Sequence, residues 1–123
     1  MNIVLDTNAV LYFLGGRLRD PLPQAHLYIS VITEIELLSY PLLSSENESE
    51  IYGFLDDVTI VDLSTAIKQE TIKLRRQYRF KLPDAIIVAT ARHLKAELLT
   101  NDIKLLKMSE VSVRALQLKD ENQ

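Results

Sequence analysis

Acidic side chains stand directly after two apolar segments of this sequence. Asp6 follows Ile3-Val4-Leu5, and Asp102 follows Leu98-Leu99 after two polar residues, Thr100-Asn101. Continuous apolar runs of this kind are typical of parallel strands covered on both faces. The carboxyl ends of such strands meet at the edge of the sheet where open α/β proteins bind ligands. We therefore expect both carboxylates to lie at the same edge.

A third carboxylate, Asp84, lies near the start of the apolar segment LPDAIIVATA. Helical periodicity puts Asp84 on the same face as Ile87, Val88 and Ala91, and this face should pack on the sheet. We therefore expect Asp84 to point inward at the open end of the fold, where burying a charge is costly.

Each of these acids also has an ordinary structural explanation. Asp6 can cap the helix that follows it, and Asp84 in a first turn gains about 0.3–1 kcal/mol from the helix dipole. Asp102 after Asn101 is common turn chemistry. The combination favours a functional site, because all three acids fall at the same predicted end of the fold.

The segment VITEIELLSY offers a fourth acid, with two candidates. Helical periodicity does not choose between Glu34 and Glu36, because each has apolar neighbours on its own face. Glu36 could also pair with Thr33 in a capping box if this helix began late.

Strands and helices are predicted to alternate along the chain. The predicted strands are 3–5, 27–29, 58–61, 98–99 and an edge strand within 111–118. The predicted helices are 9–14, one from Ser30 to about Tyr40, one from a Ser45/Glu48 capping box towards Asp57, one from Ser64 to about Tyr78, and one from Pro83 to about Ala96. This order predicts a three-layer α/β fold with a mostly parallel central sheet of four to five strands.

The composition limits which classes of protein this chain can belong to. The 123 residues are 47% hydrophobic and 25% charged, as in one soluble globular domain. No apolar run is long enough to span a bilayer, and the N-terminus lacks the features of a signal peptide, which predicts a cytoplasmic protein without a membrane partner. The absence of cysteine excludes disulfides, thiolate nucleophiles and Cys-ligated zinc. The net charge of -3 means that RNA binding would need a local basic patch.

Four segments taken together resemble the PIN-domain nucleases. The order IVLDTN, ISVITEIELL, LPDAIIVATA, LLTND is most similar to the VapC-type toxins of bacterial toxin–antitoxin pairs. Each motif is short, but four in this order and spacing are fairly specific. The resemblance covers Asn2 to about Leu118, and it implies one PIN-like domain over residues 1–118 with a polar tail at 119–123.

The resemblance also assigns residues. It maps the four acids of the family onto Asp6, Glu36, Asp84 and Asp102. It maps supporting polar positions onto Thr7, Asn8, Thr100 and Asn101. One departure is Ser39-Tyr40-Pro41, where such toxins usually carry a glycine after the Glu-Leu pair, and this leaves the end of that helix open.

Four carboxylates in one cleft would need either protons or cations, because two of them about 4 Å apart repel by roughly 1–4 kcal/mol. Mg²⁺ or Mn²⁺ is the natural match for oxygen ligands, whereas His26 and His93 offer little for zinc. A bound divalent ion lowers the pKa of a water ligand and can brace the oxygens of an in-line displacement.

The resemblance implies that this chemistry is metal-dependent endonucleolytic cleavage of RNA, leaving 3′-hydroxyl and 5′-phosphate ends. Asp6, Glu36 and Asp84 would bind the metal ion directly or through water. Asp102 would act through water or a neighbouring ligand. The resemblance further implies a cognate antitoxin and a homodimer.

A basic stretch between residues 68 and 81 is the best candidate for holding RNA. It carries six cations against Glu70 alone. We expect Lys68, Arg75 and Arg79 to share one helical face and to follow phosphates, although an ordinary solvated face is equally compatible. Arg17 and Arg19 form a second candidate patch, or an antitoxin contact.

Other acid-rich α/β classes fit less well. A haloacid-dehalogenase-like phosphatase needs an acid two residues after its nucleophilic Asp, where this chain has Asn8. A receiver domain needs paired acids near the first strand, and a Rossmann domain needs a glycine-rich turn after it. The remaining alternative is a non-catalytic PIN-like module that binds RNA or protein. The presence of all four acids favours the nuclease.

Overall fold

A single sheet of five strands runs through the centre of the protein, as seen in a computed structural model that describes residues 1–120. The strands are β1 (Asn2–Leu5), β2 (His26–Ser30), β3 (Thr59–Val61), β4 (Glu97–Leu99) and β5 (Val113–Arg114). Their order across the sheet is β3-β2-β1-β4-β5, and every neighbouring pair is parallel. The predicted count of four to five strands is therefore confirmed, and the sheet is entirely rather than mostly parallel.

Helices cover both faces of this sheet and complete the predicted three layers. They are α1 (Thr7–Leu14), α2 (Val31–Leu38), α3 (Ser45–Asp57), α4 (Thr65–Gln77), α5 (Leu82–Leu94) and the short α6 (Ile103–Leu106). In residues 1–120 no helix is both long and apolar enough to cross a membrane.

The central strand β1 divides the core between the two faces by simple alternation. Ile3 and Leu5 pack with residues of α1, α2 and α3, whereas Val4 points to the other face and packs with α4 and α5. All three side chains are fully buried. This is why the strand is a continuous apolar run: both of its faces are covered.

Helix starts follow ordinary capping chemistry, with one difference from the prediction. Ser64 caps α4 as predicted, since its side chain accepts the Ile67 N–H at 3.2 Å. The predicted Ser45/Glu48 capping box is wrong: Ser44 is the cap of α3 and accepts the Asn47 N–H, so Ser45 is already helical. Either serine offers the same side chain, and sequence alone did not separate the two.

Several element ends differ from the prediction. Helix α2 ends at Leu38 and α5 at Leu94, each two residues earlier than predicted, and α6 was not predicted. The predicted edge strand within 111–118 shrinks to Val113–Arg114, because the chain then leaves β4. Leu118 instead forms an isolated antiparallel bridge with Leu18.

The end of the chain is tied to the loop after α1. Arg19 donates its N–H to the Gln117 carbonyl at 2.9 Å, and Lys119 donates its N–H to the Arg17 carbonyl at 2.8 Å. The predicted polar tail, 119–123, therefore begins with a residue bonded to the domain. Residues 121–123 lie outside the described part of the chain, and the boundary at 118 stays a prediction.

Helix α4 provides a test of this packing. Leu74 is 1% exposed and belongs to the core under α4 and α5, whereas Ile72 on the same helix is 51% exposed. We expect Leu74→Ala to lower the free energy of unfolding by about 2–5 kcal/mol, because it leaves a cavity. The control Ile72→Ala should change it by less than about 1 kcal/mol. Urea denaturation measures both, and equal losses would contradict the packing described.

Candidate functional site

Asp6 is the most buried of the four predicted acids, with 7% of its surface exposed. It directly follows β1, and its Oδ1 accepts the Ala9 N–H at 2.8 Å, so it caps α1. Burial raises the pKa of Asp6, and the charges of Asp84 and Asp102 raise it further. Hydrogen bonds from Thr100 and from the Ala9 N–H act in the opposite direction but do not cancel the rise.

Thr100 connects two of the acids. Its side chain is fully buried and hydrogen-bonded to the Asp6 carboxylate. The same hydroxyl oxygen accepts the Asp102 N–H at 3.0 Å. Asp102 in turn caps α6, since its Oδ1 accepts the Lys104 N–H at 2.9 Å. The carboxyl ends of β1 and β4 are thus joined through one threonine hydroxyl.

Asp84 is the acid that interacts electrostatically with all the others. It lies half-buried in the first turn of α5. Burial raises its pKa most, and the charges of Asp102 and Glu36 raise it further, while Lys81 and Lys104 lower it. The charge of Asp84 is also among the causes that raise the pKa of Asp6. The four predicted acids therefore lie within electrostatic reach of one another at one edge of the sheet.

Glu36, and not Glu34, is the acid of α2 that belongs to this group. Its Oε1 accepts a hydrogen bond of 2.6 Å from the Thr7 hydroxyl, and Thr7 directly follows Asp6. The late helix start that would make Glu36 a capping-box partner does not occur, because Ser30 caps α2 through the Ile32 N–H. Periodicity could not make this choice, since the deciding contact comes from another helix.

The four predicted supporting residues divide into two pairs. Thr7 and Thr100 hydrogen-bond directly to acids of the group. Asn8 is exposed on α1, and the Asn101 Oδ1 accepts the Leu116 N–H at 2.7 Å. Asn101 therefore holds the C-terminal segment beside the group rather than contacting an acid.

The sequence prediction missed the interaction of Thr33 with this group. Thr33 is fully buried in α2, and its hydroxyl lies 3.0 Å from that of Thr7. The signal in the sequence was its position three residues before Glu36, which puts both on one face of the helix.

The model of the PIN domain family matches residues 3–111, which is most of the chain. The chain belongs to the PIN domain family. No curated protein matches it, but several solved structures do.

A toxin–antitoxin complex from Klebsiella pneumoniae contains a chain 30% identical to this PIN domain, with a TM-score of 0.74 over 89% of this chain and 94% of that one. VapBC2 from Rickettsia felis, bound to a DNA fragment from its promoter, gives a TM-score of 0.80 at 22% identity over 95% of this chain and 100% of that one. DNA-bound VapBC from Salmonella typhimurium gives a TM-score of 0.80 at 19% identity, over 94% of this chain and 98% of that one. The fold of this PIN domain is thus similar to that of chains in VapBC structures.

The acids of this PIN domain do not form a ready-made metal site. Within residues 1–120, no three Asp, Glu, His or Cys side chains are grouped so that they could hold a metal ion. The two histidines lie elsewhere: His26 begins β2 at the opposite edge of the sheet, and His93 is in the last turn of α5. In the described residues Asp84 therefore interacts electrostatically with each of the other three predicted acids, but the acids do not form a group of this kind.

The predicted basic face of the PIN domain needs a correction. Lys68 and Arg75 are exposed on α4, but the helix ends at Gln77 and Tyr78 is extended. Arg79 therefore lies beyond the helix and does not continue its face. It instead joins Arg75 in an open cleft of about 420 Å³, which is also lined by Ile72, Arg76 and Phe80. We call this the arginine cleft.

The second predicted basic patch is already engaged within the chain. The Arg17 guanidinium lies 5.2 Å from the centre of the Tyr12 ring, and Arg19 forms an exposed ion pair with Asp20 at 3.9 Å. Both residues are nevertheless exposed, so a second basic patch or antitoxin contact at this loop stays a prediction.

The raised pKa values of Asp6 and Asp84 generate a prediction. A carboxyl group whose pKa is raised by folding contributes stability below its unfolded value of about 3.9, and this contribution is lost as pH rises through the folded pKa. At neutral pH the metal-free protein should therefore be destabilised by these charges. Asp102 raises both pKa values, and asparagine is an equally good helix cap.

We expect Asp102→Asn to raise the free energy of unfolding of the metal-free protein at pH 7 by about 0.5–1 kcal/mol, or roughly 2–4 °C in Tm. The gain should fade as the pH falls and the neighbouring acids, whose pKa values are raised, become protonated. Thermal melts in EDTA between pH 4 and pH 8 measure it, with Asp57→Asn at the exposed end of α3 as the control. A gain that is independent of pH would contradict charge repulsion as its cause.

Proposed function

We propose that this chain is a metal-dependent endoribonuclease and the toxin of a type II toxin–antitoxin pair. The observation that supports the proposal is the electrostatic interaction of Asp84 with Asp6, Glu36 and Asp102 at the carboxyl edge of the sheet. Membership of the PIN domain family supports the reaction class, and the similarity to a chain of a Klebsiella toxin–antitoxin complex supports the biological role.

The chemistry of the acid group fits Mg²⁺ or Mn²⁺. Both are hard ions that prefer carboxylate oxygens, and Mg²⁺ usually retains several waters and takes only one or two carboxylates as direct ligands. The raised pKa values of Asp6 and Asp84 reflect burial and repulsion between like charges. A cation would relieve this repulsion. The chain offers no cysteine, and neither histidine joins the group, so zinc would lack its preferred ligands.

In this proposal Asp6, Glu36 and Asp84 hold the ion directly or through water, and Asp102 acts through water. The ion, when bound, supplies a water ligand of lowered pKa and neutralises charge on the scissile phosphate. Thr100 keeps Asp6 oriented, and its hydrogen bond favours the ionised form of that carboxyl. Thr7 orients Glu36 by donating a hydrogen bond to Oε1. The products would carry 3′-hydroxyl and 5′-phosphate ends.

The arginine cleft is the part of the surface proposed to hold the RNA backbone. Arg75 and Arg79, two of the three cations first predicted from sequence, line the cleft together with Arg76 and Phe80. Lys68 is exposed on α4 but does not line the cleft. In the described residues these arginines form no ion pair with an acid. Asp84 follows Arg79 by five positions, a span of at most about 17 Å. An RNA strand in the cleft could therefore reach the acid group.

Partners are proposed from the relatives. The Klebsiella structure is a toxin–antitoxin complex, and the Rickettsia and Salmonella structures are VapBC bound to DNA. By analogy we propose that this chain binds a cognate antitoxin that blocks the acid group, that it forms a homodimer, and that it acts in the cytoplasm.

A non-catalytic PIN-like binding module is the second candidate. The observation that favours it is the lack, within residues 1–120, of acids already grouped to hold an ion. Such a module would bind RNA or protein in the arginine cleft without cutting it, and the following test separates the two functions.

Substitution of the buried acid tests catalysis. We expect the purified protein to cut a structured RNA with Mg²⁺ or Mn²⁺, and Asp6→Asn to lower the cleavage rate by at least about 100-fold, since it removes a central charged ligand. End-labelled RNA resolved on a sequencing gel measures the rate, and EDTA should abolish cleavage. The control Asp57→Asn, exposed on α3, should cut as the wild type does. Cutting that survives Asp6→Asn would refute this assignment of the active site.

Substitution of two arginines tests RNA binding apart from cutting. In an Asp84→Asn background, we expect Arg75→Gln/Arg79→Gln to weaken RNA binding about tenfold and to reduce the slope of log K against log salt by roughly 1.4, because two phosphate contacts are lost. Fluorescence anisotropy at several salt concentrations measures both. The control is Arg92→Gln/Lys95→Gln at the far end of α5. An equal loss in both doubles would point to general attraction instead of a defined cleft.

A further inference from the structure

Two threonine hydroxyls form a short chain that ends on Glu36. Thr33 lies in the first turn of α2 with no exposed surface, and Thr7 is the first residue of α1. The Thr33 and Thr7 hydroxyl oxygens are 3.0 Å apart, and the Thr7 hydroxyl lies 2.6 Å from Glu36 Oε1. The chain therefore joins the helices that follow β1 and β2.

The direction of both hydrogen bonds follows from proton counting. An ionised carboxylate can only accept, so Thr7 must donate its single proton to Glu36. The length of 2.6 Å is that of a charge-assisted O–H···O⁻ bond. With its proton committed, Thr7 can only accept from Thr33, and Thr33 must donate. The order Thr33 to Thr7 to Glu36 is thus fixed.

Thr33 differs in this respect from two other buried threonines. Thr71 and Thr90 donate their hydroxyl protons to the carbonyls of Ile67 and Ile86, four residues earlier in their own helices, each at 2.7 Å. Thr33 lies in a first turn, and the residue four before it belongs to β2. It makes no such bond within its helix, and its proton goes across to α1 instead.

We propose that Thr33 is a positioning residue for Glu36. By donating to Thr7, it holds the Thr7 hydroxyl in the one rotamer that donates to Glu36 Oε1. Oε1 is thereby fixed, and Glu36 Oε2, which has no hydrogen bond to residues 1–120, is left to face the other acids. Thr33 contacts neither the substrate nor the metal ion. The proposal rests on the proposed function only in taking Glu36 as a metal ligand.

Metal affinity is the first measurement. We expect Thr33→Val, which keeps the shape but removes the donor, to raise the Mn²⁺ Kd about tenfold, because partners that orient a ligand contribute about 10–100-fold to affinity. Thr33→Ser restores the hydroxyl and should stay within about twofold of the wild type. The matched control is Thr71→Val, another buried threonine, whose hydroxyl donates to the Ile67 carbonyl and not to an acid. Isothermal titration calorimetry measures all four proteins.

The Thr7 rotamer is the second measurement and needs no metal. Threonine in a helix populates two χ1 rotamers unless a partner selects one. We expect the three-bond couplings of Thr7 Cγ2 to backbone nitrogen and carbonyl carbon to show one rotamer in the wild type and Thr33→Ser, and averaging in Thr33→Val. Thr33→Ala is a second donor-free variant, for use if the valine variant does not fold.

Each outcome decides the proposal. A locked Thr7 rotamer in a donor-free variant, or an unchanged Mn²⁺ Kd, would overturn it. So would an equal loss of affinity in Thr71→Val, since this would show a general effect of losing a buried hydroxyl. If the wild type bound no Mn²⁺ at millimolar concentration, the metal dependence of the proposed function would fail instead, and the Thr7 couplings would still decide the role of Thr33.

Discussion

The structure depends on one costly arrangement, a carboxylate buried at the end of the central strand with other carboxylates around it. An ionised carboxyl group loses several kcal/mol of hydration when buried, unless hydrogen bonds and opposite charges replace the water. Asp6 receives the Ala9 N–H and the Thr100 hydroxyl, and Lys81 and Lys104 act on nearby Asp84. These partners do not fully compensate, and the pKa values of both acids stay raised. The free energy of unfolding therefore depends on whether protons or cations bind the carboxylates at this edge of the sheet.

Helix capping explains where these acids stand but not why they are charged. Asp6 and Asp102 each follow a strand and cap the next helix through Oδ1. A neutral serine or asparagine would serve equally well as a cap, and it would avoid the repulsion that raises the pKa of Asp6 and Asp84. A carboxylate that caps through one oxygen also keeps lone pairs for another ligand. Helix capping and metal binding are thus compatible roles for Asp6 and Asp102. Capping alone does not explain why these residues are charged, whereas metal binding does.

The sequence predicted the features that follow from local pattern, and it failed where contacts between elements decide. Continuous apolar runs and capping serines identified the layers and the parallel sheet. In a parallel sheet the carboxyl ends of the strands lie at one edge, so the sheet alone predicts that the residues after the strands lie together. The choice of Glu36 over Glu34 depends on a hydroxyl from α1, which no pattern within α2 contains. Arg79 was placed on the face of α4 although the predicted helix already ended at about Tyr78, and the observed end at Gln77 confirms that Arg79 lies beyond it. The short β5 reflects the departure of the chain from β4 to bridge Leu18, a contact made far away in sequence.

Glu36 differs from the three aspartates in how much order it needs. Each aspartate is short and stands at the start of a helix, so the backbone itself fixes the position of its carboxylate. Glu36 reaches out from the interior of α2 through an additional methylene, and ordering such a side chain costs up to about 1.5–2 kcal/mol of rotamer entropy. A hydrogen bond to a charged group contributes about 1.5–3 kcal/mol, which is enough to offset that cost. The Thr7 bond is of this kind, and it holds only if the Thr7 proton points at Glu36. The buried Thr33 hydroxyl donates to the Thr7 oxygen, and this directs the Thr7 proton towards Glu36.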